Sequence, residues 1–565
     1  MIRFDRRLWH RFGGMAAPYW LREEKWHARW LLFLLVLLLL GQTGFAVLFN
    51  EQTGEFTSAL AAKDADRFWY AIQKCVAILV VGVPVYAFYY FVRDTLGLHW
   101  RRWLTQRFLG NYFSNRAYYE LNASSDIDNP DQRVAEDIGT FTQKSLQFLL
   151  VLVGAVLQLI AFSGVLWSIS RELVAFLVIY AAVGTVVTIL IFGKVLIGLN
   201  FYQLKREANF RFSLVRIREN AEAIAFYRGE AQESQQVGEY FNEAFVNFSK
   251  LIRMQLNLNL FQYGYSFVTI VLPSAIIAGR VISGELEVGR AIQAAGAFAA
   301  ILSALTVIVD NFDSFSKFAA GIDRLDSLAK FLAGNSNRPA SEEVSFVEGP
   351  NLALQNLTLQ TPKGERTLVR DLSMTINPGQ GLMIVGASGS GKSSLLRAIA
   401  GLWRSGSGSI IRPEGVAMMF LPQRPYMLQG SLRSQLLYPR SSEGVSDAEL
   451  LHLLERVNLP NIAAHFGGLD AVFDWAKVLS VGEQQRIAFA RVLHAAPRYA
   501  MLDEASSALD IANEDSLYHQ LAASSTTLVS VGHRPSILKY HPQVLEIIGD
   551  GTWQLYAADD YRFTR

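Results

Sequence analysis

The run from Trp30 through Leu-Leu-Phe-Leu-Leu-Val-Leu-Leu-Leu to Leu40 carries no charge and continues apolar to about residue 49. A soluble helix buries one stripe and leaves the rest polar, so a run apolar on every side needs a medium other than water. A helix needs about 20 apolar residues to cross a bilayer, and stretches near that length recur at roughly 30–49, 72–92, 146–168, 173–193, 259–279 and 291–309. Six spans are expected. Lys194, Arg280 and Arg290 fall just outside them, where basic side chains can reach the interface. Hydrophobic residues at 51% and charged ones at 18% agree with a lipid bilayer as partner.

The flanks give the orientation. Arg3, Arg6, Arg7, Arg11, Arg22, Lys25 and Arg29 precede the first span, whereas the short loop after it carries Glu51, Glu55, Asp64 and Asp66. Basic residues stay on the cytoplasmic side, which places the amino terminus there, and six spans return everything after residue 310 to the same side. No A-x-A cleavage site precedes the first span, so it is expected to be retained. A formal net charge of +2 gives no basic face for phosphate backbones, so nucleic acid is not an expected partner. The lone Cys75 rules out an intramolecular disulfide or a thiol pair.

Two loops expected on the cytoplasmic side, about 93–145 and 194–258, are long, charged and helical in pattern, and read as extensions of the spans. A small polar stretch, Gly334-Asn-Ser-Asn-Arg-Pro-Ala-Ser-Glu-Glu, then precedes strand-like alternation from about Val344. The expected division is a membrane domain at 1–333, a linker at 334–344 and an α/β domain at 345–565.

That second domain opens its chemistry with a strand-like Leu382-Met-Ile-Val385. Next come Gly386, Ala387, Ser388, Gly389, Ser390, Gly391, Lys392, Ser393 and Ser394, and then a helical run. Strand, glycine-rich loop and helix in this order form a P-loop. Its backbone N–H groups can close around ATP phosphates at a helix N-terminus, Lys392 can neutralise the β and γ phosphates, and the Ser393 hydroxyl can coordinate Mg2+.

Downstream, the chain resembles ABC ATPases over the whole second domain. Gln423 in Leu421-Pro-Gln-Arg-Pro425 is similar to the Q-loop, Leu479-Ser-Val-Gly-Glu-Gln-Gln-Arg486 to the signature sequence and Tyr499-Ala-Met-Leu-Asp503-Glu504 to Walker B. Ser507-Ala-Leu-Asp510 resembles the D-loop, and His533 in Val531-Gly-His-Arg534 the switch histidine. The resemblance implies magnesium at Ser393, Asp503 and Gln423, with Gln423 also facing the membrane domain. Phosphoryl transfer asks mostly for charge neutralisation and a positioned water, which makes Glu504, beside Asp503, the expected base and His533 its helper at the γ-phosphate. Ser480, Gly482, Glu483 and Asp510 are expected to complete an ATP site across a homodimer, since one chain has one P-loop and one signature. Two residues depart from the family pattern: Val481 replaces the second signature glycine, and Thr361 stands where many relatives stack adenine on an aromatic.

Leu359-Gln-Thr-Pro-Lys-Gly364, Gly401-Leu-Trp403 and Pro422-Gln-Arg-Pro-Tyr-Met427 resemble the D subfamily of peroxisomal fatty-acyl transporters. Asp128-Asn-Pro-Asp-Gln-Arg-Val-Ala-Glu-Asp137 and Ala221-Glu-Ala-Ile-Ala-Phe-Tyr227 are similar to that group and to bacterial BacA-related peptide and cobalamin carriers. Asn129 and Pro130 should break one cytoplasmic helix, and Glu136 and Asp137 should charge the first turn of the next. Glu222 is expected in a short helix that couples to the ATPase. Asn259, Gln262 and Tyr263 fall at i, i+3 and i+4 in the fifth span and line either a translocation cavity or a helix–helix contact.

The resemblance thus implies an exporter-like membrane domain of six spans fused to a P-loop ATPase, in a bacterial inner membrane. The expected activity is ATP-driven uptake of a hydrophilic cargo, a small molecule such as cobalamin or a peptide. Export of fatty-acyl or lipid substrates is the alternative, and an ATP-gated channel or regulator the reading from another class.

Overall fold

The computed structural model describes residues 6–123, 127, 130–334, 343–362, 364–414, 417–440 and 444–563. The chain divides into two compact units, Met1–Asn337 and Arg338–Arg565. The expected linker at 334–344 lies mostly outside the described residues.

Among its described residues the first unit is built of helices: α1 Arg6–Pro18, α2 Lys25–Ala61, α3 Ala65–Phe113, α4 Ala117–Ala123, α5 Pro130–Gln132, α6 Ile138–Ile169 and α7 Arg171–Val187. There follow α8 Lys194–Glu219, α9 Ala221–Tyr227, α10 Glu230–Ile282, α11 Val288–Asp310 and α12 Phe312–Gly334. Among the described residues four helical stretches are long and apolar enough to cross a membrane: Lys25–Ala61, Ala65–Asn122, Pro130–Ile169 and Val288–Val307. They contain the expected first, second and third spans and most of the sixth. The stretches at 173–193 and 259–279 are helical, in α7 with the π-helical Thr188–Gly193 and in α10.

The long charged loops are helix extensions. At 1.5 Å per residue the 49-residue α3 reaches about 74 Å, far more than a hydrocarbon core needs. Residue 129, where a helix break is expected, lies outside the described residues, and α3 already breaks upstream of it. It ends at Phe113, where Asn115 takes a left-handed backbone (φ 50°) that asparagine tolerates better than most residues. Pro130 opens α5, Glu136 and Asp137 sit in the π-helical turn that follows, and Asp137 pairs with Arg324 at 3.1 Å.

Helix packing uses small residues at the closest crossings. A Cβ on Gly54 of α2 would lie 2.8 Å from Gly289 O of α11, and Gly289 N donates to Ser58 Oγ at 3.1 Å. Near one end, Tyr19 stacks on Trp100 (5.7 Å, 12°) within an aromatic cluster under α1.

The second unit holds β1 Ser345–Glu348, β2 Leu352–Gln360, β3 Thr367–Ile376, β4 Leu382–Gly386, α13 Lys392–Ile399, β5 Gly406–Arg412, β6 Met418–Leu421, β7 Gly430–Ser431 and α14 Leu432–Leu437. Next come α15 Asp447–Arg456, α16 Ile462–His465, β8 Val472–Phe473, α17 Trp475–Val478, α18 Val481–Ala495, β9 Tyr499–Asp503, α19 Ile511–Ala523, β10 Thr527–Val531, β11 Gln543–Gly549 and β12 Thr552–Ala557. Six strands form a sheet in the order β12-β11-β4-β10-β9-β6, parallel except for the edge strand β12. Its central strands are apolar on both faces, Leu382 to Val385 all buried, as a parallel sheet covered on two sides requires. A second, four-stranded sheet runs β1-β5-β2-β3.

Register decides where the site can be. Val531 pairs with Ile384 and Asp503, and Leu502 with Leu421, so β4, β10, β9 and β6 end level. Ligands in open parallel sheets bind beyond such carboxyl ends.

Candidate active site

The loop leaving β4 turns back on itself before entering α13. Gly386 has φ +142° and Gly391 φ +110°, and a Cβ on Gly386 would meet Ile547 O at 2.3 Å, so neither position takes another residue without strain. Lys392 Nζ donates to Gly386 O at 2.9 Å and to Ala387 O at 2.8 Å, which holds its charge over the loop. Ala387, Ser388 and Gly389 are exposed at the rim, and Ser394 lies in the first turn of α13. Ser390 is buried, and its hydroxyl finds no hydrogen-bond partner among the described residues.

Beside the loop, Ser393 Oγ donates to Asp503 Oδ1 at 3.1 Å. Burial raises the Asp503 carboxyl above its usual range, against the Ser393 hydrogen bond and with help from the charge of Glu504. A cation beside it would relieve that cost, and hydroxyl and carboxylate oxygens suit magnesium. Glu504 has a left-handed backbone (φ +48°). Gln423 Nε2 donates to Glu504 Oε2 at 2.7 Å, and His533 Nδ1 stands 3.6 Å from Glu504 Oε1, near but beyond hydrogen-bond range. Gln423, Ser393, Asp503, Glu504 and His533 therefore meet at the level ends of four strands.

The signature residues are held by contacts of their own. Ser480 caps α18 reciprocally with Glu483: Glu483 N donates to Ser480 Oγ at 3.3 Å, and Ser480 N to Glu483 Oε2 at 2.8 Å. Gly482 lies against the D-loop, where a Cβ would sit 3.1 Å from Ala508 O. Asp510 caps α19 through Asn513 N at 2.8 Å, and that bond holds its carboxyl below the usual range. Val481 is exposed.

The family described as ABC transporter transmembrane region 2 matches residues 20–282, and the ABC transporter family matches residues 369–507. An uncharacterized ABC transporter ATP-binding protein of Synechocystis is 47% identical over 96% of this chain and 84% of its own length. The chain is an ABC half-transporter. The chloroplastic ABC transporter D family member 2 of Arabidopsis thaliana is 39% identical to it (96% and 86% covered), and the human lysosomal cobalamin transporter is 32% identical (89% and 88%). A bacterial Atm1-family ABC exporter solved with ATP bound superposes with a TM-score of 0.75 at 17% identity, covering 94% and 96% of the two chains, which establishes the exporter fold. The half-transporter thus carries an ABC ATPase coupled to transport across a membrane.

Residues outside the expected set hold its site together. Gln485, fully buried in α18, donates to Gln423 O and Ser507 Oγ, both at 3.2 Å, and accepts from Ala508 N at 3.0 Å. It stands inside the quoted signature run, but only its burial reveals a polar group spent on binding two loops. Thr361 closes the β2–β3 turn, its hydroxyl accepting from Arg366 N at 3.2 Å. In the membrane unit of the half-transporter Glu222 is exposed in the first turn of α9, beside the exposed Phe226 and Tyr227. Asn259 and Tyr263 are exposed on α10, whereas Gln262 is half-buried.

Proposed function

We propose that two copies of this half-transporter assemble and hydrolyse ATP at two shared sites to drive a hydrophilic cargo, cobalamin or a peptide, inward across the membrane. The convergence of Ser393, Asp503, Gln423, Glu504 and His533 carries the chemistry. In this reading the P-loop from Gly386 to Ser394 holds the phosphates, Ser393 and Asp503 with Gln423 hold magnesium, Glu504 activates water and His533 steadies the γ-phosphate. The capped N-terminus of α18, with Ser480 and Val481 exposed, presents backbone N–H groups to the partner's ATP. The basic flank before Trp30 supports an amino terminus and an ATPase domain in the cytoplasm of a bacterial cell. Six spans per chain follow from the apolar runs. Glu222 serves as the coupling residue.

The human relative named for cobalamin supports the cargo, as do exposed polar side chains at Asn259 and Tyr263 in an otherwise apolar stretch. One observation favours acyl-chain or lipid cargo instead: a cavity of about 610 Å³ lined almost wholly by apolar groups, Trp9, Phe12, Trp20, Trp100, Phe148 and Phe318 among them. Purified protein in proteoliposomes separates the two. Cobalamin or peptide should stimulate ATPase and accumulate, with accumulation impaired and basal ATPase kept when Asn259, Gln262 and Tyr263 are replaced by leucine. Stimulation by acyl-CoA alone selects the second reading.

A further inference from the structure

Hydrogen bonds around Glu504 close a ring. Glu504 N donates to Val531 O and Ser507 N donates to Glu504 O, both at 3.1 Å. From the opposite side Arg534 sends Nη2 to Ser507 O at 2.9 Å and Nη1 to Leu509 O at 3.0 Å. The circuit runs by hydrogen bonds from Val531 to Glu504, Ser507 and Arg534, and closes along the backbone through His533 and Gly532 to Val531. Nη1 also reaches Glu514 Oε1 at 3.3 Å. Glu514 is fully buried in α19 and further accepts from Ser506 Oγ at 2.5 Å and Ser536 Oγ at 2.6 Å.

Each part of this arrangement answers a need. A left-handed glutamate is strained and persists only where its surroundings over-determine it. Two loop carbonyls and a carboxylate at fixed angles suit a planar guanidinium fork, which a point-charge ammonium cannot reproduce. The buried Glu514 carboxylate gains charge-assisted bonds that orient that fork.

We propose that Arg534, oriented by Glu514, is a positioning residue for ATP hydrolysis. It locks the D-loop segment Ser507–Leu509 to the switch segment and so sets the spacing between Glu504 and His533. It touches no reacting atom. The inference rests on the roles proposed for Glu504 and His533.

The test uses full-length protein carrying Arg534→Ala, Arg534→Lys or Glu514→Gln, with Glu504→Gln in parallel. Misalignment of a reacting geometry is expected to lower kcat roughly tenfold or more in Arg534→Ala while KM for ATP stays within about twofold. Arg534→Lys should recover only part of the rate, with the melting temperature near that of the parent. A kcat near the parent's in Arg534→Ala overturns the inference. So does a joint fall of kcat, ATP affinity and melting temperature that Arg534→Lys fully restores, which would mark a brace for the fold. If Glu504→Gln still hydrolyses ATP, the role of Glu504 fails. If Glu504→Gln is inactive while Arg534→Ala is active, only the role of Arg534 fails.

Discussion

Tyr180 and Tyr265 lie face to face, ring centroids 4.1 Å apart and planes 11° apart, and each hydroxyl donates to the other's backbone carbonyl, at 2.7 and 2.6 Å. The pair binds α7 to α10 across Gly184, where a Cβ would lie 2.5 Å from Tyr265 Cζ. Gly184→Ala should displace the ring and break both bonds, costing about 2 kcal/mol or more, against about 1 kcal/mol for Tyr265→Phe, which removes one bond and keeps the stack. Thermal melting of the purified protein checks the order. Equal stability of Gly184→Ala and the parent would contradict it.

Glu504→Gln keeps the shape of the side chain and removes its basicity, so turnover should fall at least about a hundredfold while ATP stays bound. Lys392→Ala deletes the charge held over the loop and should instead weaken nucleotide binding itself. A phosphate-release assay beside equilibrium binding of a fluorescent ATP analogue separates the two effects. Parent-like turnover in the first variant, or unchanged affinity in the second, removes the corresponding role.

In the proposed homodimer the P-loop of one chain would face the signature of the other. In a Cys75→Ala background, Ser388→Cys and Val481→Cys on differently tagged chains should cross-link when ATP is present. Ser388 is preferred to the buried Ser390 because it is exposed. Cross-links only within one chain would refute the shared site.

His541 is buried, with Nδ1 2.9 Å from Ile537 O and Nε2 2.8 Å from Ser530 Oγ. Burial pushes its imidazole from 6.5 down to about 4. The unfolded chain therefore takes up this proton first as the medium acidifies, so stability is complete above about 6.5 and is lost as pH falls toward about 4. The loss amounts to about 3 kcal/mol. Melting curves from pH 7 to pH 5 should show a smaller decline for His541→Gln than for the parent, and parallel declines would show that His541 carries none of it.

The helices were legible because their signals are local. The run from Trp30 to Leu40 and the strand–loop–helix order around Lys392 state their structure within a few residues, and the two families matched to the chain cover these regions. The break at Asn115 was not legible, since nothing in Phe113-Ser-Asn-Arg116 is as strong a punctuation as the Asn129-Pro130 pair, and a left-handed asparagine leaves no mark in composition. The roles of Gln485 and Glu514 are not legible in the sequence for a related reason. A polar residue in a helical pattern reads as solvent-facing until the fold buries it.

By itself, the sequence determined the two kinds of domain and set out the groups expected to serve phosphate, metal and water. Those depend on residue type and on spacing of a few positions. Only the tertiary structure decided which groups meet: Ser393 with Asp503 across 110 residues, Gln423 with Glu504 across 81, and Arg534 with Ser507 across 27. The physical reason is strand register. Parallel pairing of β4, β10, β9 and β6 sets their carboxyl ends level, and a slip of one residue would turn every side chain at those ends to the opposite face.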